Sequence, residues 1–123
     1  MSNIAIEAKK VAEYIRNDTN REQTFTAKYI RNVWKLLFPE RNVESILPAD
    51  HCINRYNGGA DYKKEGKGPY IFEYINYNKY RLLDIDELWT GNIKHCQGRG
   101  NRDNCEIVGK VVNNVRTLDV DKK

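Results

Sequence analysis

Ser45-Ile46-Leu47-Pro48-Ala49-Asp50-His51-Cys52-Ile53-Asn54-Arg55 can be read as a helix or as something shorter, and the architecture follows from the choice. With Asn42 as its cap, a helical stretch runs through Val43, Ile46, Leu47, His51, Cys52 and Arg55. Proline is tolerated only in the first turn of a helix, so either the helix begins near Pro48 or two short pieces meet there. In both cases Ile46, Leu47 and Ile53 point inward, and Asp50, His51, Asn54 and Arg55 face out.

Upstream, Ile4, Ala8, Val11 and Ile15 recur at helical spacing with Glu7, Lys9, Lys10, Glu13 and Arg16 between them, which predicts an amphipathic helix from Ile4 to Asp18. The polar run after it ends that helix. Thr24-Phe25-Thr26 is β-prone, and Thr26 is placed to cap a second helix with the buried stripe Ile30, Val33, Trp34 and Leu37, stopping before Pro39. Downstream, Gly58 and Gly59 end the third helical element. Two β-prone runs, residues 69–76 and 79–83, then flank Tyr77-Asn78 as a hairpin.

Helix, short strand, helix, helix, hairpin is the order of a winged helix-turn-helix, an α+β fold of three helices plus a β-hairpin wing. The expected organisation is a winged-helix domain over residues 1–84. Residues 85–123 follow as a short, helical C-terminal extension that packs on the core or forms a dimer contact. Within that extension, Ile85, Leu88 and Trp89 suggest a short helix. Asp103 and Glu106 have capping-box spacing before a valine-rich stripe that includes Val108, Val112 and Val115. A hairpin turning at Asn113-Asn114 is the rival reading, because valines favour strands.

The chain has 123 residues, 40% hydrophobic and 31% charged, enough apolar material for one folded unit and too much for a disordered one. No apolar run is long enough to span a bilayer, and the N-terminus lacks a signal peptide's apolar block, so the expected location is the cytoplasm. There the three cysteines, Cys52, Cys96 and Cys105, are expected as thiols. The net charge of +4 permits a polyanionic partner without demanding one.

Lys28, Arg31 and Lys35 lie on the polar side of the second helix, where they can follow a phosphate backbone. In the third helix, Asp50, His51, Asn54 and Arg55 would project into a major groove, with Arg55 suited to guanine and Asn54 to adenine. The hairpin region supplies Lys63, Lys64, Lys67, Lys79 and Arg81 among Tyr62, Tyr70, Tyr77 and Tyr80, a pattern suited to phosphate contact or minor-groove entry. Arg99 and Arg102, in a Gly-rich loop, can add further contacts.

Catalytic signatures are missing. A metal-dependent nuclease needs an acidic pair with lysine two residues past the second acid, and after Glu73 that place is held by Ile75. There is no phosphate-binding glycine loop and no nucleophile elbow. His51, Cys52, His95, Cys96 and Cys105 are conceivable zinc ligands, but their spacing departs from that of structural sites. The chain is therefore expected to be no enzyme, with neither metal nor cofactor.

The segment from Phe25-Thr26 through residues 45–55 to Phe72-Glu73-Tyr74 and residues 79–83 resembles winged-helix modules found at the ends of some restriction endonucleases and in related small bacterial and phage proteins. That resemblance implies binding of double-stranded DNA, with Asp50, Asn54 and Arg55 as reading residues. The expected function is thus a DNA-binding regulator or targeting module, with the valine stripe as the surface of a homodimer. The alternative is a phage or mobile-element inhibitor of the anti-CRISPR or anti-restriction type, binding a host nuclease or effector protein through the same surface.

Overall fold

The computed structural model describes residues 3–20, 22–56, 69–96 and 105–118. Helix α1 (Ile4–Asn17) is started by Asn3, whose side chain accepts the Ala5 amide at 2.7 Å. Strand β1 (Thr24–Phe25) follows, then helix α2 (Ala27–Leu37), capped by the Thr26 hydroxyl as its sequence predicts. Next come β2 (Phe72–Asn76) and β3 (Lys79–Leu82), then β4 (Gly91–Cys96), β5 (Cys105–Val112) and β6 (Val115–Leu118).

Among the described residues there are two α-helices and two three-stranded antiparallel sheets, ordered β1-β3-β2 and β4-β5-β6. The class is α+β, but the expected winged helix-turn-helix is not the fold, because its third helix is absent. Val43–Ser45 and Pro48–His51 are separate 3-10 turns with extended backbone at Ile46 and Leu47 between them. Pro48 lacks the amide that a continuous helix would use, and the chain beyond His51 is claimed by strand edges instead. Ile46 and Ile53 are buried as expected, whereas Leu47 is exposed.

The described part of the C-terminal extension is also not helical. The valine-rich run is the β5–β6 hairpin, turning at Asn113 and Asn114, both at positive φ (48° and 71°). Two consecutive left-handed residues make a type I′ turn, for which asparagine is suited, and β-branched valines fit a pleated surface better than a helix. Gly109 permits the close approach of β6, since a β-carbon there would run into the Thr117 carbonyl oxygen. A bulge at Val108, between the Ile93–Gly109 and Lys94–Ile107 pairs, shifts the alternation of β5 and splits the proposed dimer stripe: Val108 is buried, while Val112 and Val115 are exposed. Residues 85–89 form no helix, and Ile85 and Leu88 are exposed.

Each sheet has its own core. The first gathers α1, α2 and the β1-β3-β2 sheet around Trp34, Ile15, Ile30 and Phe72. The second gathers Ile93, Val108, Val111 and Leu118 with Ile53, Tyr56 and Leu83, so residues from before position 84 help to build it. Glu7, placed by its spacing on the polar side of α1, is buried in the first core. Its carboxylate accepts from the Trp34 indole at 2.9 Å and from two nitrogens of Arg41 at 2.9 and 2.7 Å. The Arg41 hydrogen bonds, aided by Trp34, hold the Glu7 carboxyl below its ordinary range despite burial. No described helix is long and apolar enough to cross a membrane.

Candidate nucleic-acid interface

Residues 51–56 form a seam that joins the two sheets. The His51 carbonyl accepts the Ile71 amide, and the Ile53 amide donates to Phe72, so the segment first borders β2. It then crosses to β4, where the Asn54 carbonyl accepts from Lys94 and the Tyr56 amide donates back to the Lys94 carbonyl, both at 2.9 Å. The backbone has left β2 by then, and the Asn54 side chain takes its place: Oδ1 accepts the Tyr74 amide at 2.7 Å and Nδ2 donates to the Tyr74 carbonyl at 2.8 Å. Arg116, from β6, secures the seam by donating to the carbonyls of Cys52, Ile53 and Arg55 at 3.0, 3.0 and 2.9 Å while stacking on Tyr70.

This seam contains the residues expected to read bases. Asn54 is 7% exposed with its amide engaged by Tyr74, and His51 is 3% exposed with Nδ1 against the Pro69 carbonyl, so neither side chain faces out. Burial pushes the His51 imidazole below its ordinary pKa, outweighing the Pro69 hydrogen bond and nearby Asp50. Asp50 remains exposed on the 3-10 turn. Arg55 is half-buried, its guanidinium 4.4 Å from the centre of the Tyr74 ring, and its buried Nε has no partner among the described residues. The Cys52 thiol is fully buried, bonded to the Pro48 carbonyl, and raised in pKa by that burial, which makes it an inert packing group.

The remaining predicted cations are dispersed. Lys28 and Lys35 are exposed on α2, while Arg31 turns its Nε to the Ile46 carbonyl at 3.1 Å. Lys79 is exposed opposite Asn76 in the hairpin register. Arg81 is held by Glu73 at 2.8 Å and Glu87 at 2.6 Å, leaving it poorly placed for phosphate. Lys63, Lys64, Lys67, Arg99 and Arg102 lie outside the described residues. Nor does the hairpin project as a free wing: β3 is the central strand of its sheet, and the Asn78 side chain accepts the Ala27 amide at 2.9 Å, tying the turn to α2.

What the fold does assemble is a cleft of about 690 Å³ between the hairpin and the second sheet. Residues 74–77 form one wall, and Lys94, Cys105 and Ile107 the other. Two registers shape it. A bulge at Ile75 lies between the Tyr74–Tyr80 and Asn76–Lys79 pairs and bends the hairpin, and Lys94 stands directly across from Ile107. Among the described residues the lining contains no carboxylate. On β5, Glu106 alternates to the face opposite Cys105 and Ile107, and on β2 Glu73 is engaged by Arg81. Tyr77 is 57% exposed, Lys94 is exposed, and the Arg55 charge lies behind Tyr74. Lys94 and Ile107 were missed in the sequence because residues 91–96 lack strong alternation and the capping-box spacing of Asp103 and Glu106 favoured a helix beyond.

Among the described residues no group of three or more His, Cys, Asp or Glu side chains is placed to hold a metal ion. The expectation of three thiols does not hold: Cys52 is free, but Cys105 is disulfide-bonded. The β4–β5 register sets Cys96 opposite Cys105, a pairing that the eight intervening residues concealed in the sequence.

No solved structure matches the chain. It is similar to the uncharacterized protein YnaC of Bacillus subtilis, 39% identical over 77 residues. That match covers 63% of this chain and 27% of the relative, so it spans about a quarter of that protein's length. A family model described as a domain of unknown function, DUF7225, matches residues 7–118, and the chain belongs to that family.

Proposed function

We propose that this protein is a non-enzymatic nucleic-acid-binding module, acting as a regulator or targeting factor, and that it binds through the cleft between the hairpin and the second sheet. One observation carries the reading: the cleft combines Tyr74 and Tyr77 with Lys94, has the Arg55 charge behind its wall, and is lined by no carboxylate among the described residues. Aromatic faces interleaved with cations suit the bases and phosphates of a polynucleotide, and the described lining sets no negative charge against that attraction.

The route to DNA through a major-groove helix is not part of it, because the segment expected to supply that helix is the seam. The test is fluorescence anisotropy with random-sequence DNA and RNA, single-stranded and duplex, across a salt series. Binding that weakens steeply as salt rises is expected. Absence of binding to every polymer at about 50 mM salt would overturn the reading.

A second reading has its own observation. Ile75 and Ile107 in the same cleft are 41% and 56% exposed, which suits an apolar segment of a protein, as for an inhibitor of a host defence factor. Its signature is salt-insensitive binding to one purified defence nuclease or effector.

A further inference from the structure

Resting on the nucleic-acid reading, we infer that the cleft takes a single strand rather than a duplex, with a base stacked on Tyr77 and the backbone running along Lys94. Shape makes the distinction. Duplex DNA is read by a convex element, a helix or β-ribbon, that enters its groove, whereas this surface is concave and lies between two sheets. In a duplex the base faces are covered by their stacked neighbours, so Tyr77 would find only edges and sugar-phosphate. An unpaired strand offers those faces and is thin enough to lie between the hairpin and β5.

The two walls divide the chemistry. The hairpin wall is aromatic and carries Tyr77 at its turn, where the ring is 57% exposed. The opposite wall carries Lys94 beside Ile107, an ammonium next to an apolar surface. Arg55 stays behind Tyr74, stacked on its ring, and adds positive charge without needing to reach the ligand. A strand with one base against Tyr77 and its phosphate on Lys94 uses both walls at once. Stacking is indifferent to base identity, so the preference is for single strands as such, with little sequence selection.

The experiment compares a thymidine or uridine homopolymer of about ten nucleotides, a duplex of equal length, and an abasic strand carrying the same backbone charge. The single strand should bind about tenfold or more tightly than the other two. Tyr77→Ala should lose about tenfold in affinity for the strand and Tyr77→Phe should retain it, because the face and not the hydroxyl makes the contact. Lys94→Ala should reduce the salt slope by about one. Equal binding of the duplex or the abasic strand overturns the single-strand inference and leaves the nucleic-acid reading standing. Failure of all three polymers to bind removes both.

Discussion

The seam at residues 51–56 and the cleft beside it draw on the same kinds of side chain, yet they differ in where the polar atoms go. In the seam, the Asn54 amide is bonded twice to Tyr74, and one nitrogen of Arg116 serves three carbonyls. In the cleft, Asn76, Tyr77 and Lys94 are exposed to solvent. An asparagine and a cation thus serve architecture in one region, as Asn54 and Arg116, and face solvent in the other, as Asn76 and Lys94. Residue type does not separate these uses. The accounting of internal hydrogen bonds does, since a buried polar group must be satisfied within the chain.

That contrast can be broken most directly at Arg116. Arg116→Ala strips a charged donor from three seam carbonyls and should destabilise the fold by about 3 kcal/mol, read from the urea midpoint. A loss below about 0.5 kcal/mol would mean that the seam does not hold the sheets together. Asn54→Ala comes next, at about 2 kcal/mol, because the Tyr74 amide and carbonyl both lose their partner. If Asn54→Ala instead weakened nucleic-acid binding at unchanged stability, the seam and the cleft would have exchanged roles.

Acid sharpens the contrast on the structural side. The buried His51 has a lowered pKa, so below about pH 6.5 the unfolded chain binds a proton that the folded ring resists, and stability falls in that range. Glu7 and Glu87 are held below the ordinary carboxylate range by hydrogen bonds from Arg41 and Arg81. Their contribution is complete above about pH 4.3 and is lost as pH drops through their depressed values. Urea midpoints measured against pH should therefore decline in two stages, and His51→Asn should remove the first. The smallest stability effect belongs to the cleft: Tyr77→Ala and Lys94→Ala should each change folding by less than about 0.5 kcal/mol while weakening nucleic-acid binding.

Legibility in the sequence tracked locality. The apolar spacing of α1 and α2, the Thr26 cap and the hairpin at Tyr77-Asn78 depend on contacts within a few residues, and all are present. Glu7 misled because a carboxylate at that spacing ordinarily faces water. Its burial depends on Trp34 and Arg41, which are distant in sequence. The valine run misled for a related reason: capping-box spacing favoured a helix, whereas the Asn113-Asn114 turn and pairing with β4 favoured strands. Within the candidate site, Tyr77 and Arg55 could be named beforehand. Lys94 and Ile107 could not, because they join the site only through the register of β4 on β5.

By itself, then, the order of residues determined the two helices, their caps and the hairpin, all of which arise from periodicity and short-range hydrogen bonding. Whether residues 48–56 became a third helix was a matter for tertiary structure. Pro48 weakened the helical option locally, but the two strand edges at Phe72 and Lys94 determined the outcome by offering that backbone hydrogen bonds on both sides. A buried amide goes wherever a partner is available, and these partners lie some 20 and 40 residues away along the chain, beyond the reach of any local pattern.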